Sequence, residues 1–357
     1  MPQSHDDEHS ASFDDLSLED TMPLKFGLAI MNDFPPGVVP ASRVSMLREQ
    51  VRAAADAGIS SIWVLQHYLG SMPTLQPVPL LSALAQDAGE MTLGTNMFIL
   101  PLRHPVEVAE EFATLDHLTG GRAVAGFGMG YRENEFAAFG IPMDDRVGRY
   151  DESVRLIRQL WSGEQVTFEG EHFQVVDEKI SLTPVQPGGP QVWIGAGPHK
   201  KGAERAARLG DAWIVPPHVT PERLAVVLGH YRAERERLGK QTSELVVRRE
   251  LVLDDDRDRA RAIGVAARGA LTQKYAAYNA PQQGEAYKHL QTDQAAEEVA
   301  DASYLFTDPP SAEAALKDLE AQGLTHVVLR MQWYELGQEQ VLATLEKFKN
   351  EVLPAFR

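Results

Sequence analysis

Between residues 94 and 161 the chain alternates strand, turn and helix, and this alternation constrains the fold more than any other feature. An apolar run over residues 91–100 meets Pro101. A helical pattern over 104–118 is stopped by Thr119-Gly120-Gly121. The next run, 122–126, opens into Gly128-Met129-Gly130-Tyr131-Arg132-Glu133-Asn134-Glu135-Phe136, and a further helix ends in Leu160-Trp161. Strands joined through helices run parallel, because a parallel connection needs a crossover of a dozen residues or more. Strand-like runs occupy 24–31, 61–65, 91–100, 122–126, 191–195, 212–215, 245–253 and 326–330. Most are short and apolar, as strands buried on both faces are. Helical patterns separate them at 42–57, 78–88, 105–118, 146–160, 200–209 and 221–238, with 338–352 after the last. Gly58 and Gly210 stand just past two of these helices, where a left-handed cap is wanted. Eight such units predict an α/β chain folded as a single (β/α)8 TIM barrel over residues 23–357, with a doubly wound open sheet as the structural alternative.

Two stretches break the rhythm. Residues 165–175 alternate around Glu169-Gly170 and predict a β-hairpin inserted before strand five, followed by a Pro/Gly stretch at 184–190. Residues 254–310 form a long insertion between strands seven and eight, containing Tyr275, Tyr278, Gly284 and Tyr287 and a polar, helix-like 293–303. An insertion there is either a lid over the barrel mouth or a surface excursion. Residues 1–22 are acidic and lack the apolar stretch of a signal peptide, so a disordered tail and a cytoplasmic protein are expected.

Composition removes whole classes of chemistry. Lys and Arg number 34 against 51 Asp and Glu, a formal net charge of −17, which argues against a nucleic-acid partner. The absence of cysteine excludes disulfides, thiolate catalysis and Cys-ligated metals. No apolar run approaches the roughly 20 residues of a membrane-spanning helix.

In a parallel barrel the active site forms at the C-terminal ends of the strands. Strand one ends in Met31-Asn32-Asp33-Phe34 and strand two in Gln66-His67-Tyr68. Strand three carries Thr95-Asn96-Met97, and strand four leads to Tyr131 and Asn134. Strand five ends in Gly195-Ala196-Gly197-Pro198-His199-Lys200-Lys201 and strand eight in Arg330-Met331-Gln332-Trp333-Tyr334. These ends offer no glycosidase-like carboxylate pair, no His/Asp metal cluster and no Gly-x-Ser-x-Gly elbow. A mouth of Met, Asn, aromatic residues and glycine suits a cofactor that carries the chemistry itself. The turn after strand five is the phosphate candidate. Gly195 and Gly197 let the backbone approach an anion, and the helix starting near Pro198 points unpaired N–H groups there. A tight structural turn is the competing reading. His67 is a proton donor, a stacking partner for a ring, or a satisfied histidine at a strand end. Asn96 is an amide in an apolar strand and needs partners. Met31, Tyr68, Trp333 and Tyr334 either wall a substrate pocket or plug the mouth. Arg146 and Arg149 at a helix start imply an anionic partner, a phosphate or the carboxylates of Asp144, Asp145, Asp151 or Glu152.

In this order and spacing the residues resemble the bacterial luciferase-like family of flavin-dependent oxidoreductases, over nearly the whole of 23–357. The matching elements include Ala-Asp-Ala-Gly58 with Ile62-Trp63-Val64, Leu93-Gly94-Thr95, Leu100-Pro101-Leu102, His104-Pro105-Val106 and Gly120-Gly121-Arg122. They continue through Gly128-x-Gly-Tyr-Arg132, Phe139-Gly140, Arg149-x-Asp-Glu152, Leu160-Trp161 and Ala206 to Trp213. The resemblance implies a flavin or deazaflavin at the strand C-termini and a non-proline cis peptide joining Asn96 and Met97. It places the phosphate loop on Gly195-Ala196-Gly197-Pro198 and cofactor contacts on Asn134, with Tyr131 and Arg146 beside them. Gln66-His67-Tyr68 matches neither the Glu-His-His of many FMN enzymes nor the Asp-His of many F420 enzymes. Tyr131 stands where some F420 dehydrogenases carry a catalytic glutamate, and Val327 to Trp333 is closer to the FMN-using branch. The expectation is therefore a monooxygenase that oxidises a small organic substrate with O2 and reduced FMN, the latter supplied by a separate flavin reductase. His67 is the expected proton or hydrogen-bond donor, no metal is expected, and a homodimer is implied. The alternatives are an F420-dependent hydride-transfer enzyme, a non-catalytic flavin-binding protein and a phosphate-binding barrel lyase or isomerase.

Overall fold

All eight apolar runs form strands: β1 Lys25–Ile30, β2 Ser61–Val64, β3 Thr92–Thr95, β4 Ala123–Gly128, β5 Gln191–Gly195, β6 Ala212–Val215, β7 Glu244–Leu253 and β8 His326–Arg330. The computed structural model describes residues 23–35, 37–70, 72–241, 244–279, 298, 300–333 and 336–357, with side chains up to 269 in the helix that ends at 279. Every neighbouring pair is parallel, and β1 pairs with β8 (Lys25 opposite His326) as well as with β2. The sheet therefore closes into a (β/α)8 barrel, and the open doubly wound alternative does not occur.

Helices cover the outside: α1 Val44–Ala57, α2 Pro77–Leu84, α3 Pro105–Thr119, α4 Glu133–Ala138, α5 Arg146–Leu160, α6 Lys200–Leu209, α7 Pro221–Arg237, α8 Arg257–Asn279, α9 Pro309–Ala321 and α10 Gln338–Lys347. Leu47, Val51 and Ala54 put one apolar stripe of α1 on the sheet. Gly58 caps α1 in the left-handed region, with φ 84° and its N–H on Ala54 O. Gly210 does not cap α6 that way. Its backbone is extended (φ −95°, ψ 164°), and the glycine is there because a Cβ would stand 2.6 Å from Ile194 Cγ1 and 2.8 Å from Ala212 O.

Trp63, Val124, Trp193, Ala212, Ile214, Val246 and Val328 fill the inside of the barrel. The Trp63 and Trp193 rings stack at 4.5 Å, in space left by Gly94, whose Cβ would lie 2.2 Å from the Trp63 ring. Below them runs a polar thread. Trp63 Nε1 donates to Ser61 Oγ (2.8 Å), whose hydroxyl also pairs with His326 Nε2 (2.9 Å). Burial, reinforced by Lys25, holds His326 at about 3, below its ordinary 6.5, so the imidazole is neutral at pH 7. Between these values the unfolded chain binds a proton that the folded chain refuses. Stability is accordingly full above pH 6.5 and falls toward pH 3 by about 1.4 kcal/mol per pH unit. Denaturant unfolding of wild type and His326→Gln across this window checks the point, since the variant loses that one-proton slope.

The hairpin pairs Val166–Glu169 with Gln174–Glu178. Glu152 of α5 accepts from the N–H groups of Glu171, His172 and Phe173 (2.8, 3.0 and 3.2 Å) and fixes its turn. The second insertion contains α8 and a short strand, Leu305–Thr307, parallel to the outer end of β7. Ala260 and Ala267 of α8 pack with Val252, Phe306 and Trp333, so this part of the insertion belongs to the core. Within the predicted polar helix, 300–303 are helical. The other residues singled out there, and the acidic tail 1–22, lie outside the described residues or side chains. Among the described residues no helix is long and apolar enough to cross a membrane.

Candidate active site

The floor of the mouth is built around a break in strand three. β3 stops at Thr95, the Asn96–Met97 peptide is cis as the resemblance implies, and Phe98–Ile99 resumes pairing beside β4. Thr95 Oγ1 ties the break to β4 by donating to Gly126 O (2.7 Å) and accepting from Gly126 N–H (3.1 Å). Met97 lies over three glycines. A Cβ would come within 2.8 Å of its side chain at Gly126, 2.7 Å at Gly128 and 2.4 Å at Gly195. Gly195, read from sequence as a place for an anion to approach, is thus required by Met97 packing. Asn96 Nδ2 is buried and meets no acceptor among the described residues. A buried amide donor beside a thioether floor fits a planar ring that carries hydrogen-bond acceptors, as flavins and deazaflavins do.

One side of the rim is a polar lock around His67. Glu135 of α4, 1% exposed, accepts from Tyr68 N–H (2.8 Å) and Arg132 Nη1 (2.9 Å), while Arg132 also donates to Tyr68 O (2.8 Å). His67 Nδ1 stands 3.7 Å from the same carboxylate oxygen, an ion-pair separation for a protonated imidazole. Burial pushes the Glu135 carboxyl up, but His67, the Tyr68 N–H and Arg132 outweigh it and hold the group below its ordinary range. The Tyr131 ring meets His67 edge to face at 6.4 Å and is partly exposed. Gln66 explains its own departure from the family patterns. Its Nε2 donates to Tyr68 Oη (2.9 Å) and Gln76 Oε1 (3.0 Å), and its Oε1 accepts from Ile99 N–H (2.7 Å). A carboxylate cannot supply the two donors. Burial raises the Tyr68 phenol above its ordinary range, so it remains a neutral hydroxyl. Sequence reading missed Gln66 as a brace and Glu135 altogether. The signal available for Glu135 was its place beside Phe136, on the buried face of α4.

The remaining candidates are more scattered. Met31 is buried at the end of β1. Asn134 is exposed on α4. In the strand-five turn, Trp213 Nε1 donates to Ala196 O (3.3 Å), Arg223 donates to Pro198 O (3.0 and 3.2 Å), and Gly197 is exposed. His199 caps α6 by accepting Gly202 N–H (3.1 Å), so one of the N–H groups expected for an anion is already used. Burial, with Arg205, Arg223 and Lys201 nearby, keeps that imidazole below its ordinary range. Arg146 donates to Met143 O and Arg149 to Pro101 O, rather than to the carboxylates expected from sequence. Asp151 instead pairs with Arg205 and Arg208. Trp333 is wholly buried, edge-on to Phe306 at 5.7 Å. Tyr334 lies outside the described residues. No metal-binding group of His, Asp or Glu occurs among the described residues.

The family model for luciferase-like monooxygenases matches residues 24–341. The F420-dependent glucose-6-phosphate dehydrogenase of Amycolatopsis mediterranei is 31% identical over 87% of this chain and 94% of its own length. The F420-dependent hydroxymycolic acid dehydrogenase of Mycobacterium tuberculosis is 33% identical over 62% of each chain. Among solved structures, the monooxygenase RslO1 from Streptomyces bottropensis superposes with a TM-score of 0.80 at 25% identity, covering 94% of this chain and all of that one. An F420-dependent secondary alcohol dehydrogenase with an F420–acetone adduct gives 0.75 at 20% identity, again over 94% of this chain and all of that one.

Proposed function

The chain belongs to the luciferase-like monooxygenase family, and on that premise we propose that it is an F420-dependent oxidoreductase that transfers hydride to or from a small organic substrate. The observation that carries this reading is the alignment with F420-dependent dehydrogenases, one of them over 87% of the chain. It reverses the order of the two activities read from sequence, where reduced FMN came first. When bound, F420 supplies or accepts the hydride. Asn96 would donate to the ring, Met97 would form its floor, and the strand-five turn, Gly195 to Pro198, would receive its phosphate end. His67 exchanges the proton of the substrate's hydroxyl or carbonyl oxygen, and Glu135 stabilises the imidazolium that results. The apolar surroundings of Met31 and Met97 keep water from the reacting centre.

Reduced FMN with O2, delivered by a separate reductase, is the second reading. It is favoured by Tyr131, which stands where some F420 dehydrogenases carry a catalytic glutamate, and by the RslO1 superposition. Anaerobic assays with F420 and a panel of alcohols and sugar phosphates separate the two. Substrate-dependent bleaching of F420 without oxygen is expected; turnover only with reduced FMN and O2 would replace the proposal with the second reading.

Glu135 provides a further check. Glu135→Gln is expected to lower kcat about tenfold. It should also cost about 3 kcal/mol of stability, because Arg132 is left buried without its carboxylate. Steady-state kinetics and urea unfolding of the same preparation read both effects.

A further inference from the structure

We propose that the β7–β8 wall of the mouth is an oxyanion-binding site, and that the substrate carries a carboxylate or phosphate that docks there. This rests on the active-site reading above. Val246 and Val328 point into the barrel. Side chains alternate along a strand, so Arg248 and Glu250 on β7 and Arg330 on β8 point the same way, nearer the mouth. Glu250 and Arg330 are register partners. Arg248 Nη2 donates to Glu250 Oε1 (2.7 Å), and Arg268 Nε, from α8, lies 3.8 Å from that oxygen. Arg330 spends Nε on Gln332 O (3.1 Å).

The charges do not balance. Among the described residues, the Arg248 and Arg330 guanidinium groups share the single carboxylate on this inner face, with Glu250 wholly buried and Arg330 only 4% exposed. A guanidinium keeps its charge, and burying one without a counter-charge costs several kcal/mol. Arg248 Nε, Arg330 Nη2 and Trp333 Nε1 are buried and meet no acceptor among the described residues. A network that merely braced β7 to β8 would match donors with acceptors. This one has a surplus of donors and of positive charge, in a chain whose net charge is −17. Planar guanidinium edges are suited to a carboxylate or phosphate. Burial pushes Glu250 up, yet Arg248, Arg268 and Arg330 hold it below its ordinary range, so it stays ionised and uses only part of the surplus.

The position assigns the anion to the substrate. The ring floor, Asn96 and Met97, directly follows β3 and faces β4 and β5 glycines. In an eight-strand ring β7 is diametrically opposite β3. The cofactor's phosphate is already read at the β5 turn, so a second anion on the far wall belongs to the molecule that meets the ring.

The test is calorimetric titration of the full chain, at low ionic strength and without cofactor, with inorganic phosphate and with acetate, then again with saturating F420. With F420 saturating, so that its phosphate end fills the strand-five turn, one anion is expected to bind a single remaining site. Arg330→Met should weaken it by about thirtyfold or more, with F420 affinity within about twofold of wild type. Glu250→Gln should tighten it, because it removes an internal competitor; loss of a mere brace would not. The proposal is overturned if neither anion binds, if Arg330→Met binds as well as wild type, or if no anion binds once F420 is saturating, which would give the site to the cofactor's own acidic groups. Anion binding with no F420 binding would remove the cofactor reading and leave this site standing.

Discussion

Replacing His67 by alanine is expected to lower turnover by about 10²- to 10⁴-fold, the range of a lost general acid or base. Cofactor affinity should stay within about twofold. His67 is the imidazole at the rim, with Nδ1 turned to a buried carboxylate at 3.7 Å and its ring against Tyr131. Asn96 and Met97, which would hold the ring, sit in the break that follows β3. Proton exchange and cofactor binding are therefore separable. Fluorescence titration with F420 and steady-state rates from one preparation measure both. Unchanged turnover would remove the proton role, and a parallel loss of affinity would make His67 a cofactor-binding residue instead.

The largest loss of stability is expected at Gly126. A Cβ there would stand 1.8 Å from the backbone oxygen of Thr95 and 2.8 Å from Met97 Cε. The oxygen cannot swing away as a side chain could, because Thr95 Oγ1 clamps the two strands through both polar groups of Gly126. Gly126→Ala must therefore separate β3 from β4 at the break that carries Asn96 and Met97. The cost should exceed about 3 kcal/mol, in the range of severe overpacking, and cofactor binding should fall with it. Gly229→Ala is the control. That glycine is exposed inside α7 with nothing within 4 Å of its added Cβ, so the change should stabilise by up to about 1 kcal/mol. Urea midpoints of opposite sign for the two substitutions are the expected result.

The barrel was legible because parallel strands buried on both faces leave short apolar runs that little else produces. Strand-end residues such as His67 were legible by position, and the Asn96–Met97 peptide by family resemblance. What stayed hidden depends on contacts between distant segments. Gln66 reaches Gln76 and Ile99, and Glu135 reaches back to Tyr68, with nothing local to announce either. Gly126, Gly128 and Gly195 looked like turn or phosphate glycines, yet their shared task is to make room for one methionine. The charges Arg248 and Glu250, two residues apart in strand seven, were visible, but their place beside Arg330 required the closed ring. Helix α8 was missed because its arginine- and aspartate-rich start obscures the apolar face of Ala260, Ile263 and Ala267.

Closure between the first and last strands sets the order of events during synthesis. β1 leaves the ribosome long before one of its two partners, β8, since Lys25 pairs with His326. Phe348 and Phe356, whose rings meet Phe26 at 5.1 and 5.2 Å, emerge later still. Until then β1 has an unpaired edge and an uncovered apolar face, the kind of surface that recruits strands from other molecules. Pairings so distant in sequence also form slowly. The nascent chain is thus vulnerable from the emergence of β1 to that of β8, and shielding the first strand over that interval should favour its folding.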